Sequence, residues 1–137
     1  MKQIFLWAFV VFLVLPTACT KITAEGGQLE EVNWQLIEYT IKQQKHIPLS
    51  RESVTLALVN GQLNGNGGCN RYFGSYSVNG SQLDISAIGA TEMACPGLNQ
   101  QEQEYFDLLQ NAESFTSKDH TLIIYAKRGN LVFKSAP

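Results

Sequence analysis

The chain has 137 residues, 45% of them hydrophobic and 16% charged, with a formal charge of −2. That length suits one domain, part of which is a removable leader. The acidic balance leaves no basic stripe to suggest nucleic acid or an anionic lipid surface as partner.

The leader is legible at the N-terminus. Met1-Lys2-Gln3 makes a short basic start, residues 4–15 run apolar without a charge, and Pro16-Thr17-Ala18 supply small or turn-prone residues before Cys19. This is the pattern of a secretory signal peptide over 1–18. The apolar run falls short of the about 20 residues that a spanning helix needs. Leu15-Pro16-Thr17-Ala18-Cys19 resembles the bacterial lipobox, which is cut just before its cysteine, although Pro16 stands three places before the cysteine where leucine is usual. The alternative is an ordinary signal cut near Ala18, with Cys19 left as a stray thiol. Lipidation of Cys19 is preferred because an exported chain with three cysteines needs an account of the odd one. Thr20 is not the aspartate associated with inner-membrane retention, so the expected location is the cell envelope, on the outer membrane facing the periplasm. Removing Lys2 with the signal leaves nine basic residues against twelve acidic, a formal charge of −3.

With Cys19 acylated, Cys69 and Cys95 remain as a pair in an oxidising compartment and are expected to form a disulfide. On chain-entropy grounds a bond closing that loop contributes roughly 3.5 kcal/mol. Residues 19–31 then read as the lipidated cysteine and a polar tether, and 32–137 as the folded domain.

Within the domain, Val32, Trp34 and Leu36 alternate with polar residues, the period of a half-buried strand. Residues 42–45 read as a polar turn. Val54, Leu56 and Leu58 alternate again and run into Asn60-Gly61, a strong hairpin signal that recurs at Asn79-Gly80. Between these turns lie Gly65-Asn66-Gly67-Gly68-Cys69-Asn70-Arg71 and the aromatic stretch Tyr72 to Tyr76; after them Leu83 and Ile85 alternate. This is a meander of short antiparallel strands. One helix is expected to begin at Asn99, capped by that side chain with Glu102 completing a capping-box-like arrangement. Tyr105, Phe106, Leu109 and Ala112 form its apolar stripe, and Glu102, Glu104 and Asp107 its solvated, dipole-friendly first half. Residues 121–126, a turn at Arg128-Gly129-Asn130 and Leu131-Val132-Phe133 read as a closing hairpin. The fold class is therefore mainly β (α+β), a small antiparallel β-barrel or curved meander sheet with one amphipathic helix over an open end.

The chemical motifs are sparse. The glycines around Asn66 have neither the Lys-Ser nor Lys-Thr of a phosphate loop nor a following helix, and a sharp bend in the sheet accounts for them better. Asn60, Asn64 and Asn66 lack the carboxylates of a calcium loop. Cys69 as a nucleophile with His46 or His120 is the most serious enzyme idea, but export predicts an oxidised pair and neither histidine has a catalytic context. Zinc lacks a short ligand pair. Trp34, Tyr72, Phe73 and Tyr76 would line a ligand cavity or, more often in a barrel this small, simply fill it.

Gly68-Cys69-Asn70, Tyr72, Gly74 and Tyr76, then Thr91-Glu92-Met93-Ala94-Cys95, then residues 102–109 together resemble the META domain family, over nearly the whole mature chain. The resemblance implies a small antiparallel barrel with one helix, exported or lipid-anchored, in a family linked loosely to stress tolerance of the envelope, and it brings no enzymatic reaction. Glu92 stands where a basic residue is common in that pattern. The expected function is thus non-enzymatic binding or scaffolding toward an unknown envelope protein or small ligand, by a monomer held at the membrane through its lipid, without cofactor or metal. The alternative is a barrel that sequesters an amphipathic small molecule or blocks a hydrolase. Asn70 and Arg71 are the side chains expected to form the binding surface.

Overall fold

The computed structural model describes residues 28–49 and 53–137. The signal peptide, Cys19 and residues 20–27 of the expected tether lie outside them.

Strands β1 (Asn33–Ile41), β2 (Gln44–His46), β3 (Thr55–Val59), β4 (Gln62–Asn66), β5 (Arg71–Asn79) and β6 (Gln82–Ala90) precede helix α1 (Asn99–Gln110), and β7 (Ala112–Lys118), β8 (Thr121–Ala126) and β9 (Gly129–Ser135) follow it. Each strand from β3 onward pairs antiparallel with the next, and β9 returns to β1, with Trp34 opposite Ser135 and Ile41 opposite Gly129. The result is an eight-strand antiparallel barrel capped by one helix. Strand β2 is a flap that shares one edge of β1 with β3. The weakest joint is β6–β7, where Gln82 opposite Ser114 is the single registered pair.

Closure follows from alternation. Leu56 and Leu58, Tyr72 and Tyr76, Leu83 and Ile85, Leu122 and Ile124, and Leu131 and Phe133 all turn inward and are buried, as two-residue periodicity requires. The barrel interior is thus filled with side chains. Trp34, Tyr72 and Tyr76 belong to this core, whereas Phe73 points outward and is exposed, so these aromatics do not frame an internal ligand cavity.

The two ends are closed differently. Helix α1 lies across one end, in contact with β1, β6, β8 and β9, and drops Tyr105, Leu108 and Leu109 into the core. At the other end, that of the three hairpin turns after β3, β5 and β7, residues 28–31 complete the core: Leu29 is buried and its carbonyl accepts from Trp34 Nε1 at 2.9 Å. The folded body therefore begins at least four residues before Val32. The stretch reads as tether because Leu29 is a lone apolar residue among polar ones, with no period to reveal it.

Other differences have equally local causes. Residues 42–45 are not all turn: Lys42 and Gln43 carry the chain through positive φ, and β2 follows at once. Strand β7 carries no sequence signal because only Phe115 and Ser117 of its residues are buried, too few to show a period. Its first residue is Ala112, which read as the end of the helical stripe. The last turn is at Lys127-Arg128, and Gly129 already pairs in β9; there a β-carbon would collide with the Thr40 carbonyl of β1.

Candidate functional site

The helix end of the barrel is built around a buried carboxylate. Glu102 sits in the first turn of α1 and is buried, on the same helix face as Tyr105 and Leu109. Its Oε1 accepts from the backbone N–H of Asn70 at 2.6 Å and of Cys69 at 3.3 Å, and its Oε2 accepts from Asn70 Nδ2 at 2.7 Å. A carboxylate taken from water requires such charge-assisted bonds, and the N-terminal turn of a helix favours its charge. Glu102 is therefore not a solvated cap residue but the strut that ties the β4–β5 turn to α1. Asn99 does not cap the helix either: Leu98 is the N-cap residue without a side-chain bond, and Asn99 Oδ1 accepts from Cys95 N at 3.3 Å.

The turn is shaped for that strut. A β-carbon on Gly67 would stand 2.7 Å from Glu102 Oε1 and 2.8 Å from Phe106 Cζ, and Gly68 turns with φ of 109°. Both positions thus need glycine, one for close approach and one for its dihedral. No phosphate cradle is required to explain them.

Asn70 extends the tie. Its Oδ1 accepts from Thr91 Oγ1 at 2.9 Å and Met93 N at 2.7 Å, while Nδ2 also donates to the Met93 carbonyl at 3.2 Å. Cys69 and Cys95 are joined by a disulfide, with Cα atoms 6.0 Å apart. The segment 91–95 is thereby held to the β4–β5 turn by one covalent bond and by every polar atom of one buried amide. Of the two expected binding side chains, Asn70 is engaged internally and offers nothing to a ligand; Arg71 is exposed at the start of β5.

Beside this knot runs a groove of about 900 Å³, with Leu49, Met93, Pro96 and Leu98 on its walls, the disulfide on its floor and Arg71 at its side. Leu49 is held in place by its N–H, which donates to Oε1 of the buried Gln101 at 2.6 Å. Gln101 Nε2 has no partner among the described residues. Leu49 and Met93 are 79% and 58% exposed, large values for apolar side chains this close together. Composition around Cys69 points to the knot, but Leu49 is too far in sequence from Met93, Pro96 and Leu98 to be read with them as one wall.

The remaining titratable groups lie elsewhere. His46 stacks on Tyr39 with centroids 4.9 Å apart, and Tyr39 donates to Glu104 at 3.0 Å. Burial, then the bond to Glu104 and its charge, push the Tyr39 hydroxyl up to about 12. His120 occupies the β7–β8 turn at the opposite end, and the sulfur of Cys69 is already bonded, so no thiol–imidazole pair is assembled. Inside, Tyr72 donates to the Thr55 carbonyl at 2.7 Å, and with that proton used the 2.6 Å bond between the two hydroxyls has Tyr105 as its donor. Burial raises both hydroxyls well above the usual tyrosine range. Among the described residues no group of three or more His, Cys, Asp or Glu side chains is placed to hold a metal ion.

The fold and its knot define a class: a small closed antiparallel barrel whose one helix is stitched to a β-turn by a disulfide and a buried glutamate. The chain belongs to the META domain family, whose profile matches residues 27–137. That start, before Gln28, agrees with Leu29 being part of the folded body. Among solved structures, an NMR structure of a protein from Burkholderia xenovorans is similar at 23% identity and a TM-score of 0.69, covering 79% of this chain and 83% of the other. A second NMR structure matches at 17% identity and a TM-score of 0.62, over 79% of this chain and 92% of that one. A crystal structure of a DUF4847 family protein from Bacteroides vulgatus matches at 12% identity and a TM-score of 0.53, over 82% and 94%. These likenesses are of fold. No curated protein matches the chain.

Proposed function

We propose that this META domain protein is a non-enzymatic lipoprotein of the bacterial envelope, anchored through Cys19 on the outer membrane, which binds another envelope component through the groove beside Arg71 and so supports envelope stress tolerance. The observation that carries the binding role is the groove itself: exposed apolar walls and an exposed arginine on an end that is otherwise tightly stitched, while the barrel interior is filled. The disulfide accords with an oxidising compartment, and the leader and lipobox-like cysteine accord with export and anchoring.

The geometry also gives the reading a direction. The chain enters the body at the hairpin end, and the eight residues between Cys19 and Gln28 reach at most about 30 Å when fully extended. In an anchored protein the tether thus joins the hairpin end, and the groove lies at the end opposite the tether.

Mass spectrometry of the mature protein tests the anchor: an acylated Cys19 as first residue is expected, and an unacylated soluble chain beginning after Ala18 would refute it. Affinity capture from envelopes with the wild-type chain and Arg71→Glu tests the binding face. A partner retained equally by both places binding elsewhere.

A further inference from the structure

We infer that the groove binds a fatty-acid-like amphiphile, a single alkyl chain ending in a carboxylate, with the chain against Leu49, Met93, Pro96 and Leu98 and the carboxylate on Arg71. This rests on the groove being the binding face, and not on the lipid anchor. Three observations lead to it.

The first is charge. Arg71 is the one charged side chain among the described residues that line the groove. It takes part in neither of the two ion pairs among the described residues, Lys45–Glu38 and Arg128–Asp107. The planar guanidinium fork matches a carboxylate in two-bond geometry. Glu92, its nearest acidic neighbour along segment 91–95, is exposed and is not part of the lining.

The second is apolar surface without a cover. Leu49 and Met93 leave most of their side chains in solvent, and methionine is the side chain best able to adapt to an alkyl chain. The groove volume of about 900 Å³ falls in the range of small-molecule sites.

The third decides between an alkyl chain and a peptide. Five backbone N–H groups around the groove are already bonded: Thr91 N to the Arg71 carbonyl, Leu98 N to the Cys95 carbonyl, Met93 N to Asn70, Gly68 N to Asn66 and Cys69 N to Glu102. Pro96 has no N–H to offer. An extended peptide laid here would lose water from its own amides and find few partners. An alkyl chain makes no such demand.

The chain supplies its own reporter, because Met93 is its one methionine besides Met1. The exported protein carrying Cys19→Ser, purified without detergent and labelled with ¹³C at the methionine methyl, is titrated below the micelle point with dodecanoate, dodecyltrimethylammonium and a leucine-ending tripeptide with a free carboxylate. Dodecanoate is expected to move the Met93 methyl resonance saturably, and the cation and the peptide are not. Arg71→Gln is expected to weaken dodecanoate binding by about tenfold, with Arg71→Lys between the two. No saturable shift with dodecanoate, an equal response to the cation, or unchanged affinity in Arg71→Gln overturns the inference. A response to the tripeptide alone also overturns it but leaves the groove as the binding face, which capture with Arg71→Glu tests separately.

Discussion

The two ends of this barrel solve one problem, covering an open stack of inward-facing side chains, with different means. At the helix end the cover lies in mid-chain and is fixed at several points: the disulfide, Glu102 on the β4–β5 turn, and Asn70 on segment 91–95. At the hairpin end the cover is the incoming chain, residues 28–31. It is held by Leu29 in the core, by the Glu31 N–H on the Leu58 carbonyl at 3.0 Å, by the Gln28 carbonyl accepting from Ser117 at 3.0 Å, and by the Tyr76–Glu30 hydrogen bond. A terminal segment can peel away without opening the sheet, whereas a stitched helix cannot. The end that carries the groove is thus the rigid one, and the end that receives the tether is the yielding one.

That contrast can be broken most strongly at Glu102. Glu102→Ala leaves two backbone N–H groups and one N–H of the Asn70 amide without their acceptor, and a loss of about 4 kcal/mol in unfolding free energy is expected by urea denaturation. A change within experimental error would mean that the carboxylate is not the strut. Reducing the disulfide, or replacing Cys69 and Cys95 together by serine, is expected to lower stability by roughly 3.5 kcal/mol, with Asn70 and Glu102 still holding the segment in place. Amide exchange at Met93 should therefore rise only moderately, and full exposure there would show that the bond alone holds it.

At the other end, Leu29→Ala is expected to lower stability by about 2 kcal/mol, at the low end for a buried leucine because the site can relax by fraying. Faster hydrogen exchange at Glu31 with no change at Asn70 would sharpen the contrast. Matching acceleration at both ends would abolish it.

The smallest expected effect is a pH response. A tyrosine whose hydroxyl is raised in the folded state binds its proton more tightly there than in the unfolded chain. Its contribution is complete below the unfolded value near 10 and is lost as pH rises through the folded value. Tyr39, raised to about 12, places its share of that loss between pH 10 and 12. Tyr39→Phe is expected to flatten the stability profile in that window, while an unchanged slope would assign the loss to the other raised tyrosines, Tyr72, Tyr76 and Tyr105.

Periodicity carries information only where inward and outward residues differ in polarity. Leu56, Leu58, Leu83 and Ile85 announce their strands, and Asn60-Gly61 and Asn79-Gly80 their turns, because each rule there is local. Strand β7 is silent, and so is Leu29. Glu102 misleads in a more instructive way. A glutamate in the first turn of a helix has a sufficient local explanation, and only its spacing from Tyr105 and Leu109, three and seven residues on, places it on the buried face. Asn70 likewise reads as a surface side chain until its four side-chain hydrogen bonds, to segment 91–95 and to α1, are seen.

By itself the sequence determined a small antiparallel barrel or curved meander with a single helix, the hairpin turns at Asn60-Gly61 and Asn79-Gly80 and, through parity of the cysteines, the pairing of Cys69 with Cys95. These rest on two-residue alternation, glycine dihedrals and counting, all of which act along the chain. Only the tertiary structure decided that the interior is filled, that Asn70 faces inward while Arg71 faces out, that Glu102 is the strut of the helix end, and that Leu49, Met93, Pro96 and Leu98 meet as one wall. Each of those depends on which distant segments come together when the barrel closes, and closure is a property of the whole sheet.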